Sequence, residues 1–345
     1  MKRQISLLLI YTGGTIGMKR DSETGALHPY DFSQVEEEVP ELKRFGYKLD
    51  TYCFDPPIDS SDVVVEVWEE LVRIIAGRYD DYDGFVVLHG TDTMAYSASA
   101  VSFMTKNLEK PVVFTGSQLP IGILRTDGRE NLISAIEIAA AKRPDGHPMV
   151  PEVSLYFENR LFRGNRTTKD NAEDFRAFRS ANYPTLADIG IHVKYNPSKI
   201  LYPSEWGQKL EIQTNLDRDV AVLKLFPGIR PEYVEAVLNT KGLRAVVLET
   251  FGSGNSPSRP WFMESIMKAC QNGIIIVNVT QCPAGSVDMD AYATGTCLKE
   301  AGVVSGYDST TEAAITKLFC LMGQYSDNAT VKKMMSKNLR GEVSL

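Results

Sequence analysis

The sequence predicts an α/β protein of two domains, each built on parallel strands. Three observations carry that reading. Short runs that are apolar throughout, such as "ISLLLIY" (5–11) and "GFVVL" (84–88), alternate with longer runs of helical period. Strands of that kind are buried on both faces by the helices between them. The chain has 345 residues, more than one core needs when domains run about 100–200 residues. Finally, the stretch 194–218 carries prolines and polar residues with weak periodicity. The expected division is a larger domain over 1–193, a linker over 194–218 and a smaller domain over 219–345.

The elements follow in order. Lys2 and Arg3 precede the first strand, 5–11, in the manner of a signal peptide. The run is short and no small-residue cleavage site follows it, so a buried first strand is expected instead. "DSSD" (59–62) opens a helix over 62–76, with one of Ser60, Ser61 or Asp62 as its N-cap. Strand 84–88 leads to helix 94–108, where small and apolar residues recur at helical spacing. Strand 110–114, helix 127–142 and strand 153–157 complete the first domain. The second alternates strands 220–226, 244–249 and 273–279 with helices 230–240 and 260–271, then ends in helices 310–325 and 328–338. No short internal repeat or low-complexity tract is present.

Composition excludes several classes. Apolar residues make up 43% and charged residues 23% of the chain, which is ordinary for a globular protein with a sizeable core. The formal net charge of −7 counts against a sequence-independent nucleic-acid binder, which needs a basic footprint. Five dispersed cysteines without a C-x-x-C pair read as reduced thiols in a cytoplasm. No segment has the length of a membrane span. The four histidines lack metal-ligand spacing, and no G-x-S-x-G elbow occurs.

In an open parallel sheet, ligands bind beyond the carboxyl ends of the strands. Three successive strand ends carry glycine and hydroxyl residues: "TGGT" (12–15), "HGTDT" (89–93) and "TGSQ" (115–118). Taken singly, each has an ordinary explanation. Gly13 and Gly14 suit a tight turn. The turn lacks both the G-x-G-x-x-G spacing of a dinucleotide site and the G-K-[ST] of a P-loop. Thr91, Asp92 or Thr93 can cap the next helix, and His89 reads as structural. In "NRLFRGNRTTKD" (159–170), Arg160, Arg163, Arg166 and Lys169 recur every third residue among acidic neighbours. That pattern reads as a solvated, ion-paired surface.

The nucleophiles left are threonines. A threonine hydroxyl needs a proton acceptor and an oxyanion stabiliser. A neutral lysine can be that acceptor when burial or neighbours lower its pKa. A threonine–lysine–aspartate relay is therefore physically sensible, with strand-end N–H groups as the oxyanion hole.

In combination the motifs become specific. "YTGGTIGM", "DSSD", "HGTDTMAYSASAVSFM", "TGSQ" and "LFRGNRTTK" occur in this order, and "ETFGSGNSP", "VNVTQC" and "NLRGE" follow. This ordered set, spanning almost the whole chain, resembles the bacterial-type L-asparaginases, most closely their cytoplasmic (type I) branch. The resemblance implies hydrolysis of L-asparagine to L-aspartate and ammonia, without a cofactor, metal, nucleic acid or membrane. It implies a larger N-terminal domain with a flavodoxin-like parallel sheet and a smaller α/β C-terminal domain. It also implies subunits paired as a homodimer or a dimer of dimers.

By matching motif, Thr15 resembles the nucleophile that forms an acyl-enzyme ester. Thr91 resembles the second catalytic threonine, with Lys169 as its partner. Asp92 completes that relay and accepts the substrate ammonium. Asp59, Ser60 and Ser61 match the substrate-binding loop, with Ser60 on the α-carboxylate. Asn255 matches an asparagine that reaches the site of the neighbouring subunit. One departure stands out. Relatives carry a tyrosine in the loop after "TIGM", where this chain has Ala26 or Leu27, with Tyr30 a few residues on. Two rival readings are the amidase subunit of a tRNA-dependent amidotransferase, which shares these loops, and a non-catalytic nucleotide-binding module.

Overall fold

The computed structural model describes residues 3–20, 27–29, 35, 39–290 and 293–344. The chain divides into two compact units, Met1–Ile212 and Gln213–Leu345. The division falls inside the segment 194–218. Residues Glu211–Ile212 stay with the first unit because they pair antiparallel with Thr105–Lys106.

The first unit is organised on an eight-stranded sheet. Its strands are β1 (Ser6–Tyr11), β2 (Lys48–Cys53), β3 (Gly84–Leu88), β4 (Val112–Thr115), β5 (Val153–Phe157), β6 (Arg160–Arg163), β7 (Ala187–Ile189) and β8 (Val193–Tyr195). Their spatial order is β8-β7-β6-β5-β4-β3-β1-β2. Five strands, β2-β1-β3-β4-β5, pair in parallel, in the flavodoxin-like order 2-1-3-4-5. The chain leaves β1 for one edge and then returns to β1's other side with β3. The loops after β1 and β3 therefore diverge from a switch point, the place where open α/β sheets bind ligands.

Apolar strands make this sheet because both faces are covered. Every residue of β1 and β3 is buried. Leu7, Leu9, Val86, Leu88 and Val113 share one cluster with Leu132 and Ile136, which lie on helix α3 (Gly128–Ala140). Helices α1 (Val65–Gly77) and α2 (Met94–Met104) precede it. Burying each such leucine contributes about 1.5–3 kcal/mol.

Three features of this unit differ from the sequence reading. Strand β2 mixes polar and apolar residues at the sheet edge and is nowhere fully buried, so it carries no continuous apolar signal. Strands β6 to β8 extend the sheet antiparallel. The cationic run is ion-paired but only partly solvated, with Arg160 exposed. Arg163 and Arg166 are 4% and 2% exposed, and Arg163 pairs with buried Glu152 at 2.7 Å while its guanidinium lies 4.4 Å from the Tyr183 ring.

The second unit carries four parallel strands in spatial order: β9 (Val220–Lys224), β10 (Ala245–Thr250), β11 (Ile275–Thr280) and β12 (Val304–Ser305). Its helices are α4 (Pro231–Leu238), α5 (Pro260–Gln271), α6 (Ala293–Glu300), α7 (Thr311–Gln324) and α8 (Asn328–Met335). Pro231 and Pro260 open α4 and α5, where the missing N–H costs nothing. Separate apolar clusters on the two sheet faces pack Phe262 and Ile266 of α5 and Leu318 and Leu321 of α7. Among the described residues, no helix is long and apolar enough to cross a membrane.

Candidate active site

The loop after β1 is held backbone to backbone against its neighbours. Thr12 donates its N–H to the Leu88 carbonyl at 3.0 Å, and Ile58 donates to the Thr12 carbonyl at 2.8 Å. Gly13 and Gly14 have φ of 138° and 88°, values side chains rarely adopt. A Cβ on Gly13 would lie 2.0 Å from the Ile58 carbonyl oxygen, and one on Gly14 would lie 2.5 Å from Gly90 Cα. The glycines are therefore required both by conformation and by approach. Gly14 abuts Gly90, so Thr15 and Thr91 are each one residue from that contact. Thr15 opens a short 3₁₀ turn, Thr15–Gly17, and is partly exposed.

Tyr11 braces this turn from below. Its hydroxyl donates to the Gly14 carbonyl at 3.3 Å. Burial pushes its pKa up to about 12, so it stays protonated at neutral pH. Tyr30, the loop tyrosine expected from the sequence, lies outside the described residues.

The loop after β3 supplies a connected cluster. Lys169 Nζ donates to Thr91 Oγ1 at 2.9 Å and to Asp92 Oδ1 at 2.5 Å. Thr91 Oγ1 in turn donates to Gln118 Oε1 at 3.2 Å. The Lys169 side chain is 19% exposed and that of Asp92 62%. An ion pair this open contributes at most about 1 kcal/mol to stability, so its consequence is orientation. Thr91, Asp92 and Lys169 thus meet in one hydrogen-bonded cluster. No signal local to the cationic run separates Lys169 from its neighbours; the tertiary contact does.

Capping does not account for these hydroxyls. Thr93 stands at the N-cap position of α2 without a side-chain cap bond. Its hydroxyl donates instead to the Ser60 carbonyl at 2.6 Å, tying the β3 loop to the "DSSD" loop. There Asp59, rather than Ser60, Ser61 or Asp62, is the cap, and it caps the short turn Ser60–Asp62. Helix α1 starts only at Val65, without a side-chain cap. Asp59 Oδ1 accepts from Ser61 N at 2.9 Å and Ser61 Oγ at 2.8 Å, and these bonds lower its pKa. Ser60 is 4% exposed and lies against Gly90, where an added Cβ would be 2.5 Å from Ser60 Oγ. Asn255 lies in the second unit, in the turn after β10, where it pairs with Phe251 through both backbone groups.

His89 is fully accounted for by its surroundings. Its Nδ1 lies 2.7 Å from the Gly90 carbonyl and its Nε2 2.9 Å from Ser97 Oγ. Ser97 Oγ accepts from the Trp68 indole at 2.8 Å. The consistent proton arrangement is neutral: Nδ1–H donates to Gly90 and Nε2 accepts from Ser97. Burial pushes the pKa down to about 4, so the ring is no acid catalyst at neutral pH. The unfolded chain takes up this proton first as pH falls. Stability tied to His89 is therefore present above about 6.5 and lost as pH drops toward about 4. Thermal melts across that window are expected to show a larger loss for the wild type than for His89→Gln; equal losses would remove His89 as the cause.

Gln118 was not singled out by sequence, although its loop was. Its Nε2 donates to the carbonyls of Ala172 at 3.3 Å and Asp174 at 3.2 Å. The amide thereby turns its oxygen toward Thr91. The available signal was its place in a third strand-end loop. Among the described residues, no group of acidic, histidine or cysteine side chains could hold a metal ion.

Comparison with known proteins bears on this site. Residues 6–201 match the family model "Asparaginase, N-terminal", and residues 219–335 match "Glutaminase/Asparaginase C-terminal domain". The chain is 43% identical over 345 residues to L-asparaginase 1 of Escherichia coli, covering 98% of each. It is 42% identical to the 60 kDa lysophospholipase of Mus musculus, covering 98% of this chain and 62% of that one. A crystal structure of L-asparaginase I from Vibrio cholerae superposes with a TM-score of 0.89 at 39% identity, covering 99% of this chain and 100% of that one.

Proposed function

The chain belongs to the asparaginase family, and on that premise we propose that it hydrolyses the side-chain amide of L-asparagine through an ester on Thr15. The observation that carries the reading is the Thr91–Lys169–Asp92 cluster set beside the Gly14–Gly90 contact. Thr15 Oγ attacks the amide carbon and loses its proton. The C–N bond breaks, and ammonia leaves with a proton delivered to its nitrogen. Water then attacks the ester, releasing L-aspartate and returning the proton to Thr15.

Lys169 and Thr91 carry protons in these steps, and Asp92 orients Lys169 while facing the substrate ammonium. Ser60 takes the α-carboxylate, supported by the turn that Asp59 and Ser61 hold in place. Asn255 contributes to the site of a neighbouring subunit, in a homodimer or a dimer of dimers. The resemblance to the type I branch supports a cytoplasmic enzyme, as do five cysteines dispersed without a C-x-x-C pair.

Purified protein alone is expected to release ammonia from L-asparagine, and much less from L-glutamine. Ammonia appearing only with a partner protein and charged tRNA would replace this reading with the amidotransferase one. Nucleotide binding without any ammonia would replace it with the binding module.

A further inference from the structure

We propose that Asp127 is a positioning residue, whose carboxylate sets the 116–119 loop so that Gln118 presents its amide oxygen to the Thr91 hydroxyl. This rests on the asparaginase reading and extends it to a residue that touches no substrate.

Asp127 occupies the N-cap position of α3 yet makes no side-chain cap bond there. Aspartate at that position commonly caps its own helix, worth about 1 kcal/mol. Here the carboxylate turns back to the strand-end loop. Its Oδ1 and Oδ2 accept from Gln118 N at 3.1 and 2.9 Å, and Oδ1 accepts from Leu119 N at 3.1 Å. Asn131, one helical turn on, donates to Asp127 Oδ2 at 3.2 Å and to the Gly116 carbonyl at 2.9 Å. The Asn131 oxygen accepts from Glu158 N at 3.3 Å. The loop is thus clamped at Gly116, Gln118 and Leu119 by two side chains of one helix. Burial raises the Asp127 pKa despite these donors, so the carboxylate is held here at a cost.

The consequence is directional. With its backbone N–H fixed by Asp127 and its Nε2 fixed by the Ala172 and Asp174 carbonyls, Gln118 has one orientation left. Its oxygen meets the Thr91 hydroxyl, and the Thr91 oxygen is left facing Lys169. Asp127 thereby acts on Thr91 through Gln118.

A double-mutant cycle tests that route. Wild type, Asp127→Asn, Gln118→Ala and the double variant are assayed for ammonia from L-asparagine, with the folded fraction measured by circular dichroism. Each single variant is expected to lose about ten-fold in kcat, with KM changed less than about two-fold. The double variant is expected to lose no more than the worse single, since both break one route. Should Asp127→Asn not fold, Asp127→Ser takes its place, because serine caps α3 while removing the carboxylate. Multiplying losses in the double variant, or an unchanged kcat in the Asp127 variant, overturns the inference while an active wild type leaves the asparaginase reading standing. An inactive wild type overturns both.

Discussion

Replacing Thr15 with alanine is expected to leave a folded protein that binds L-asparagine and releases almost no ammonia. Thr15 starts a 3₁₀ turn and is partly exposed. The turn's geometry depends on Gly13, Gly14 and Tyr11, which the substitution leaves in place. On the proposed reading, Asp92 and Ser60 also remain to hold the ammonium and carboxylate. Removing a nucleophile from a covalent mechanism costs at least roughly 10⁴-fold in kcat, by analogy with other acyl-transfer sites. Calorimetry should show binding, and the ammonia assay should show the loss. Thr15→Ser keeps the hydroxyl and should retain part of the activity. Turnover undiminished in Thr15→Ala would remove Thr15 from the chemistry.

Lys169→Met is expected to separate catalysis from stability. Methionine keeps most of the side-chain length but makes neither the 2.9 Å bond to Thr91 nor the 2.5 Å pair with Asp92. Proton-transfer groups contribute about 10²–10⁴-fold, so kcat should fall roughly 10³-fold. The Asp92 side chain is 62% exposed and stays solvated once unpaired, so stability should change by less than about 1 kcal/mol. That corresponds to a melting shift of only about 2–4 °C. A variant that lost activity only through unfolding would contradict the role given to Lys169.

The parallel core was legible because its strands are buried on both faces. The run 84–88 needed no partner to be read as a strand, and its ends match β3 residue for residue. Strand β2 was not legible, since this partly exposed edge strand has neither an apolar run nor a clean alternation. Helix α6, "ATGTCLKE", has a glycine and two threonines in eight residues and few apolar residues to mark it.

The site divides in the same way. Glycine and hydroxyl residues at three strand ends were visible in the sequence, because the strands they follow were legible. Lys169 lies 78 residues from Thr91, and no local property distinguishes it from Arg163 or Arg166. Those two are buried, so charge and spacing alone would have grouped two core arginines with the lysine that meets Thr91. Asp127 was not singled out. Its residue type and position suit a helix cap, while its bonds serve a loop.

The central claim is that an ester on Thr15 connects asparagine to aspartate. Mass spectrometry of enzyme acid-quenched during turnover tests it most directly. An aspartyl adduct is expected on the peptide that contains Thr15, forming as ammonia is released and decaying as substrate is exhausted. An adduct on the peptide containing Thr91, or steady ammonia release with no protein-bound aspartyl group at any quench time, would contradict it.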